Sequence, residues 1–388
     1  EDFWLSALDE LNGVAPEYNM TRLDEYSTDR RTVYMVEMKS VPDAAGEKPV
    51  TFRGYYAEPV APGKYKAVIT YQGYDSNPET QQYIPYGDSN PDRIDFVLST
   101  RGQGINNRGD YKTENAYYGD WFMFGFGKKE SYYYRGAYMD AVRAFDFVSS
   151  RENVNPDNIF GEGHSQGGAL TYAAAALVAI RNEASQADKA VFNSIAPAIP
   201  FMGDFPDYFK IGSWPSTQAY NWLNAQNVLS EDQKYEFLSY FDTKNLAEYI
   251  DCNVMTAIGL QDETCPPHTN IAPFNIVKKN STKETVLTVN PLLGHEAHSN
   301  WNTELNSFFD RHLIGGSTSV SPIVEGNDTF FGRIEGKTVF ILNAADKVTI
   351  SDITGRIIYS GYDNTIQLNN TGIYILSNGS ESVKLVVT

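Results

Sequence analysis

Cysteine is almost missing from this chain: 388 residues hold only Cys252 and Cys265. The pair makes neither a metal-binding spacing nor a disulfide framework. Two thiols permit one bridge, but two separate buried thiols are the simpler expectation. Basic charge is short as well, with 31 Lys and Arg against 49 Asp and Glu, a net charge of −18. Nucleic-acid binding needs a basic face that displaces counterions, and none is visible. Long apolar runs are lacking too. The longest candidate, Ala173 to Ile180, falls well short of the roughly 18 residues that a membrane span requires and reads as a buried helix. Histidine numbers only five, so histidine-dependent chemistry has few candidates.

What remains is an ordinary globular composition, 41% hydrophobic and 21% charged. The length exceeds what one core serves, so a large domain plus a smaller one is expected. Aromatics reach 13%, with 26 tyrosines. Tyr and Trp suit carbohydrate clefts, although packing explains most of them. The acidic balance suits a neutral substrate such as a sugar. A chain that starts at Glu1 without Met is expected where a signal peptide has been removed.

The first thirty residues, with Phe3, Trp4, Leu5, Leu8 and Leu11, predict an amphipathic helix packed on the main body. Strand-like alternation follows from Arg31 to Lys66. Runs 67–71 and 95–99 read as buried parallel strands. A long aromatic loop, 111–134, precedes a predicted helix over 135–149. Further strands are predicted at 158–161, 190–195, 253–259 and 284–289, a helical and peripheral stretch at 201–247, and a closing helix at 301–313. Strands alternating with helices predict an α/β fold, with a doubly wound and mostly parallel sheet over 1–314. Residues 315–321, opening Gly315-Gly316-Ser317, read as a linker. Beyond it, 322–388 carries short strands between Asn, Asp and Gly turns, the pattern of a small β-sandwich. It has no His and no Cys, so no chemistry is expected from it.

Gly163-His164-Ser165-Gln166-Gly167 stands between a predicted strand and a predicted helix. That is a G-x-S-x-G nucleophile elbow in its proper strand–turn–helix setting. The flanking glycines permit a tight, strained turn that pushes the Ser165 hydroxyl into a cleft. A serine hydroxyl is a weak nucleophile. It needs a histidine to take its proton and a carboxylate to hold that histidine's tautomer. In this fold the chain order is Ser, Asp, His. His295, in Leu293-Gly294-His295-Glu296 just after a predicted core strand, is the expected base. His298 is its close rival, and His312 reads as a surface or capping residue. His164 is expected to pack away from the site. Asp262, in a proline-stiffened loop after the strand at 253–259, is the expected acid, with Glu263 its local rival. The oxyanion calls for two backbone N–H donors, expected from Gln166 and from Tyr74 in Gln72-Gly73-Tyr74.

Arg101-Gly102-Gln103, the Ser165 elbow and His295-Glu296 together resemble the three motifs of carbohydrate esterase family 7. The likeness extends to Tyr132-Tyr133-Tyr134-Arg135, Leu238-Ser239-Tyr240-Phe241-Asp242 and Asp262 through Cys265-Pro266-Pro267. The resemblance implies an α/β-hydrolase, an acetyl xylan esterase or cephalosporin C deacetylase that needs no cofactor or metal. Its implied substrates are acetylated xylo-oligosaccharides and similar small acetate esters. It places the triad on Ser165, Asp262 and His295, and the oxyanion donors on Tyr74 and Gln166. Pro200 and Phe201 match a segment near the acyl pocket, while Arg101, Gly102, Gln103 and Glu296 fall in motifs beside the site. It also implies a homo-oligomer, since the family usually forms ring-like hexamers. The loop from Gly109 to Lys129 departs from the family pattern. The tail, with Val348-Thr349-Ile350 and Lys384-Leu385-Val386-Val387, resembles C-terminal sorting domains of type IX secretion, implying export. The competing expectations are a broad carboxylesterase or serine peptidase of the same fold, and a surface binding protein with a vestigial triad.

Overall fold

A computed structural model describes every residue except 43–47, 75–83, 86–89, 107–120, 187–188, 215, 316–330, 336, 343–346, 379–381 and 388. Contacts divide the chain into two units, Glu1–Val320 and Ser321–Thr388. The predicted linker at 315–321 lies almost wholly outside the described residues, as does much of the aromatic loop.

The first unit is built on a nine-stranded sheet. Helix α1 (Asp2–Gly13) is followed by strands β1 (Asn19–Arg22), β2 (Arg31–Ser40), β3 (Val50–Pro59), β4 (Tyr65–Tyr71) and β5 (Ile94–Leu98). The opening helix is thus shorter than expected, and Pro16 lies between it and β1. Then come α2 (Tyr133–Ser149), β6 (Val154–His164), α3 (Gln166–Ser185) and β7 (Ser194–Ala198). Helices α4 (Phe205–Ile211), α5 (Ser216–Gln226), α6 (Glu231–Ser239) and α7 (Thr243–Leu246) precede β8 (Asn253–Gly259), α8 (Pro267–Asn280), β9 (Thr285–Asn290) and α9 (Trp301–Arg311). The strand order is β1-β2-β3-β5-β4-β6-β7-β8-β9. Pairs from β5 through β9 are parallel, and β1, β2, β3 and β5 pair antiparallel.

Strand alternation sorts the two faces of this sheet. Ala67, Ile69 and Tyr71 of β4, with Ile159 of β6, face the cluster that holds α1, α2 and α3. Val68 and Phe160, one residue out of phase, join Trp301, Leu305, Phe308 and Phe309 of α9. Both faces of β4 and β6 are therefore covered, which is why 67–71 of β4 reads as a nearly continuous apolar run. The helical stretch 201–247 is less peripheral than predicted, since Phe205, Leu238 and Phe241 are buried in the main core. Strand β7 also begins later than expected, at Ser194. Sequence reading gave no sign of α8.

The second unit is antiparallel throughout, with a three-stranded sheet (Phe331–Glu335, Thr338–Leu342, Thr365–Gln367) and a four-stranded one (Ile357–Gly361, Val348–Asp352, Gly372–Ser377, Ser382–Val387). Val339, Ile341, Val348, Ile350, Leu376 and Leu385 form one buried cluster among its described residues.

Candidate active site

The chain runs outward to β5 on one side of β4 and to β6 on the other, so the carboxyl ends of β4 and β6 flank a topological switch point. Ligands of such sheets bind there. β6 ends at His164, α3 begins at Gln166, and Ser165 between them has φ 56° and ψ −119°. A non-glycine residue in that conformation is strained, as an elbow nucleophile is expected to be. The turn needs its glycines for close approach: a side chain on Gly163 would strike the backbone of Gly167 and Tyr71, and one on Gly167 the Tyr71 carbonyl.

Ser165 and His295 both line one cleft of about 480 Å³, with Gly73, Tyr74, His164 and Ile199 among its other walls. His295 Nδ1 lies 2.8 Å from Asp262 Oδ2. The Asp262 side chain is fully buried, and its other oxygen accepts from the Thr264 and Cys265 N–H groups at 2.9 and 2.8 Å. Two backbone donors therefore orient the carboxylate, and the carboxylate orients the imidazole. The rivals are placed otherwise. Glu263 is exposed. His268 stands 2.9 Å from Asp207, and His312 2.7 Å from Glu284. His298 Nε2 stands 3.0 Å from Glu304.

Tyr74 follows β4 at the cleft wall, and its hydroxyl accepts the Trp121 N–H. Gln166 is fully buried, and its side-chain amide is held by Gln103 in a two-way amide pair at 2.9 and 3.1 Å and by the Tyr134 hydroxyl. The Gln103 amide also donates to the Tyr133 hydroxyl, which donates to the Arg101 carbonyl. Arg101 itself pairs with Asp140 and reaches the Val41 carbonyl, all buried. Gly102 takes φ 70° between them. The motif at 101–103 thus fixes the residue that follows Ser165, without lining the cleft. Glu296 lies on the cleft and is exposed.

Two sequence expectations are corrected. His164 does not pack away: it is exposed and lines the cleft. Partial desolvation by the cleft walls, aided by nearby His295, draws its pKa below the usual imidazole value, with Glu162 opposing. Pro200 and Phe201 are buried behind the cleft, whereas Ile199 lines it. The reason is backbone conformation. Ile199, Met202 and Asp204 all have positive φ, at 41°, 63° and 50°, which turns Phe201 inward onto Phe122 and Tyr208.

Asp242 holds that strained segment. Its buried carboxylate accepts from the N–H groups of Asp204, Phe205 and Lys244 at 2.8–3.0 Å. Burial nevertheless pushes its pKa up. Asp242→Ala strands these donors and is expected to cost about 2–4 kcal/mol of stability, read from urea midpoints. Asp242→Asn, which retains an acceptor oxygen, should cost less.

The cysteines are separate, buried thiols. Burial and then Asp262 raise the Cys265 pKa well above the usual thiol value, opposed by a hydrogen bond with Ser165. A protonated thiol is a poor nucleophile. Among the described residues, Asp204, Asp207 and His268 could converge on a cation. Lys244 and Lys210 already face both carboxylates, and none of the three lines the cleft. No described helix is long and apolar enough to cross a membrane.

The chain is 26% identical over 302 residues to acetyl esterase Axe7A of Xylanibacter ruminicola, covering 74% of this chain and 61% of that one. It therefore spans about three fifths of that relative's length. The acetyl xylan esterase of Paenibacillus sp. R4 superposes with a TM-score of 0.66 at 28% identity, covering 80% of this chain and 93% of that one. Acetyl xylan esterase 1 of Thermoanaerobacterium sp. JW/SL YS485 shares the fold, with a TM-score of 0.67 at 21% identity over 81% and 93% of the two chains. The unit Glu1–Val320 accordingly has the α/β-hydrolase fold. The sequence model of the acetyl xylan esterase (AXE1) family matches residues 1–313, and the chain belongs to that family.

Proposed function

We propose that this protein hydrolyses acetate esters of saccharide hydroxyls, acetylated xylo-oligosaccharides foremost, and similar small esters of the cephalosporin C type. The observation that carries the reading is the Asp262–His295 hydrogen bond at the cleft that holds Ser165. Asp262 fixes the tautomer with the proton on Nδ1, so Nε2 is free to accept. His295 takes the Ser165 proton as Oγ attacks the acetyl carbonyl, and the carbonyl oxygen gains the negative charge. The backbone N–H groups of Gln166 and Tyr74 receive that oxyanion; loss of one such donor costs about 10²–10³ in rate. Imidazolium then protonates the departing sugar oxygen, leaving acetyl on Ser165. Water, deprotonated by the same imidazole, releases acetate and restores the hydroxyl.

The test is acetate release. Acetylated xylo-oligosaccharides and aryl acetates should turn over, with acetyl preferred over butyryl roughly tenfold or more. No acetate release, or equal turnover of butyrate and peptide substrates, contradicts the reading. Export is proposed on the strand pattern of the tail at 322–388, and a homo-oligomer on the family resemblance.

A further inference from the structure

A cleft of about 480 Å³ is saccharide-sized, far larger than an acetyl group requires. Most of it must serve the alcohol side of the ester. His164 stands on that wall beside the nucleophile, and among the described residues its ring has no hydrogen-bond or ion-pair partner. Trp301 carries it. The indole is 2% exposed, so it is a support rather than a stacking platform, with its ring 6.4 Å from the His164 ring and 6.1 Å from that of His298. His298 Nε2 lies 3.0 Å from a Glu304 carboxylate oxygen. His298 Nδ1 and Trp301 Nε1 are buried with no partner among the described residues. Among the described residues that line the cleft there is no Lys or Arg, and Glu296 is the one carboxylate.

We infer that His164, held on Trp301, lines the subsite for the alcohol half of the substrate and reads the hydroxyls of a neutral saccharide. This rests on the acetyl-esterase reading above. A neutral imidazole offers one donor and one acceptor, the complement of a hydroxyl. The lowered pKa of His164 keeps it neutral at neutral pH. Among the described lining residues, a saccharide bearing a carboxylate would meet Glu296 and no counter-charge.

The experiment compares kcat/KM for acetylated neutral xylo-oligosaccharides with kcat/KM for nitrophenyl acetate, whose leaving group offers no sugar hydroxyls. In His164→Ala the saccharide-to-aryl ratio should fall roughly tenfold, the loss of about one hydrogen bond. In His164→Asn, whose amide both donates and accepts, part of the ratio should return. Thermal melts of both variants report folding. An unchanged ratio in His164→Ala, or equal losses on both substrates, overturns the inference. A wild-type protein inactive on every acetate ester would instead sink the underlying reading, and the inference with it.

Discussion

Ser165→Ala should reduce turnover of any acetate ester by about 10⁴–10⁶-fold while leaving the fold intact. The alanine lacks the oxygen on which the acetyl group would rest, and the neighbouring Cys265 thiol cannot replace it. That thiol is fully buried and held protonated by burial and by Asp262, so it offers no thiolate. The backbone strain of φ 56° is carried by alanine as by serine, so the melting temperature should change little. Steady-state kinetics with an aryl acetate, beside circular dichroism, checks both halves. A variant that keeps a tenth of wild-type turnover would show that Ser165 is not the nucleophile.

The second large effect belongs to Asp262→Asn, with an expected loss of about 10⁴-fold in kcat. The direction follows from the hydrogen bonds. Asp262 Oδ1 accepts from two backbone N–H groups, and Oδ2 faces His295 Nδ1. Asparagine will keep its carbonyl oxygen toward the two donors and turn its amide NH₂ to the imidazole. His295 must then accept at Nδ1 and carry its proton on Nε2. In that tautomer it cannot take the serine proton. Stability should be nearly kept, because both backbone donors keep an acceptor. A loss in kcat below tenfold would remove Asp262 from the relay.

Much of this was legible in the sequence because it is local. The apolar runs that become β4 and β5 are continuous since both sheet faces are covered, and the elbow glycines are demanded by contacts within a few residues. Scarcity helped too: with five histidines, few arrangements survive the order Ser, Asp, His. What escaped was set by backbone angles and distant contacts. Nothing in the residue types of 199–204 announces three positive φ values in non-glycine residues, so it could not be foreseen that Ile199 rather than Phe201 would line the cleft. His164 ends its strand at the carboxyl end of the sheet, where it lines the cleft beside Trp301 of α9, a fact of topology rather than of composition. The task of Gln103, locking Gln166 from 63 positions away, is likewise visible only once β5 and α3 are brought together.

The most direct measurement is to trap the covalent intermediate. Acid quench of the enzyme during turnover of an aryl acetate, followed by peptide mass spectrometry, should find acetyl on the peptide containing Ser165 and on no other. Asp262→Asn should slow its appearance. Acetyl on another residue, or turnover without any acetylated peptide under conditions where deacetylation is slow, would contradict a serine-borne acetyl transfer.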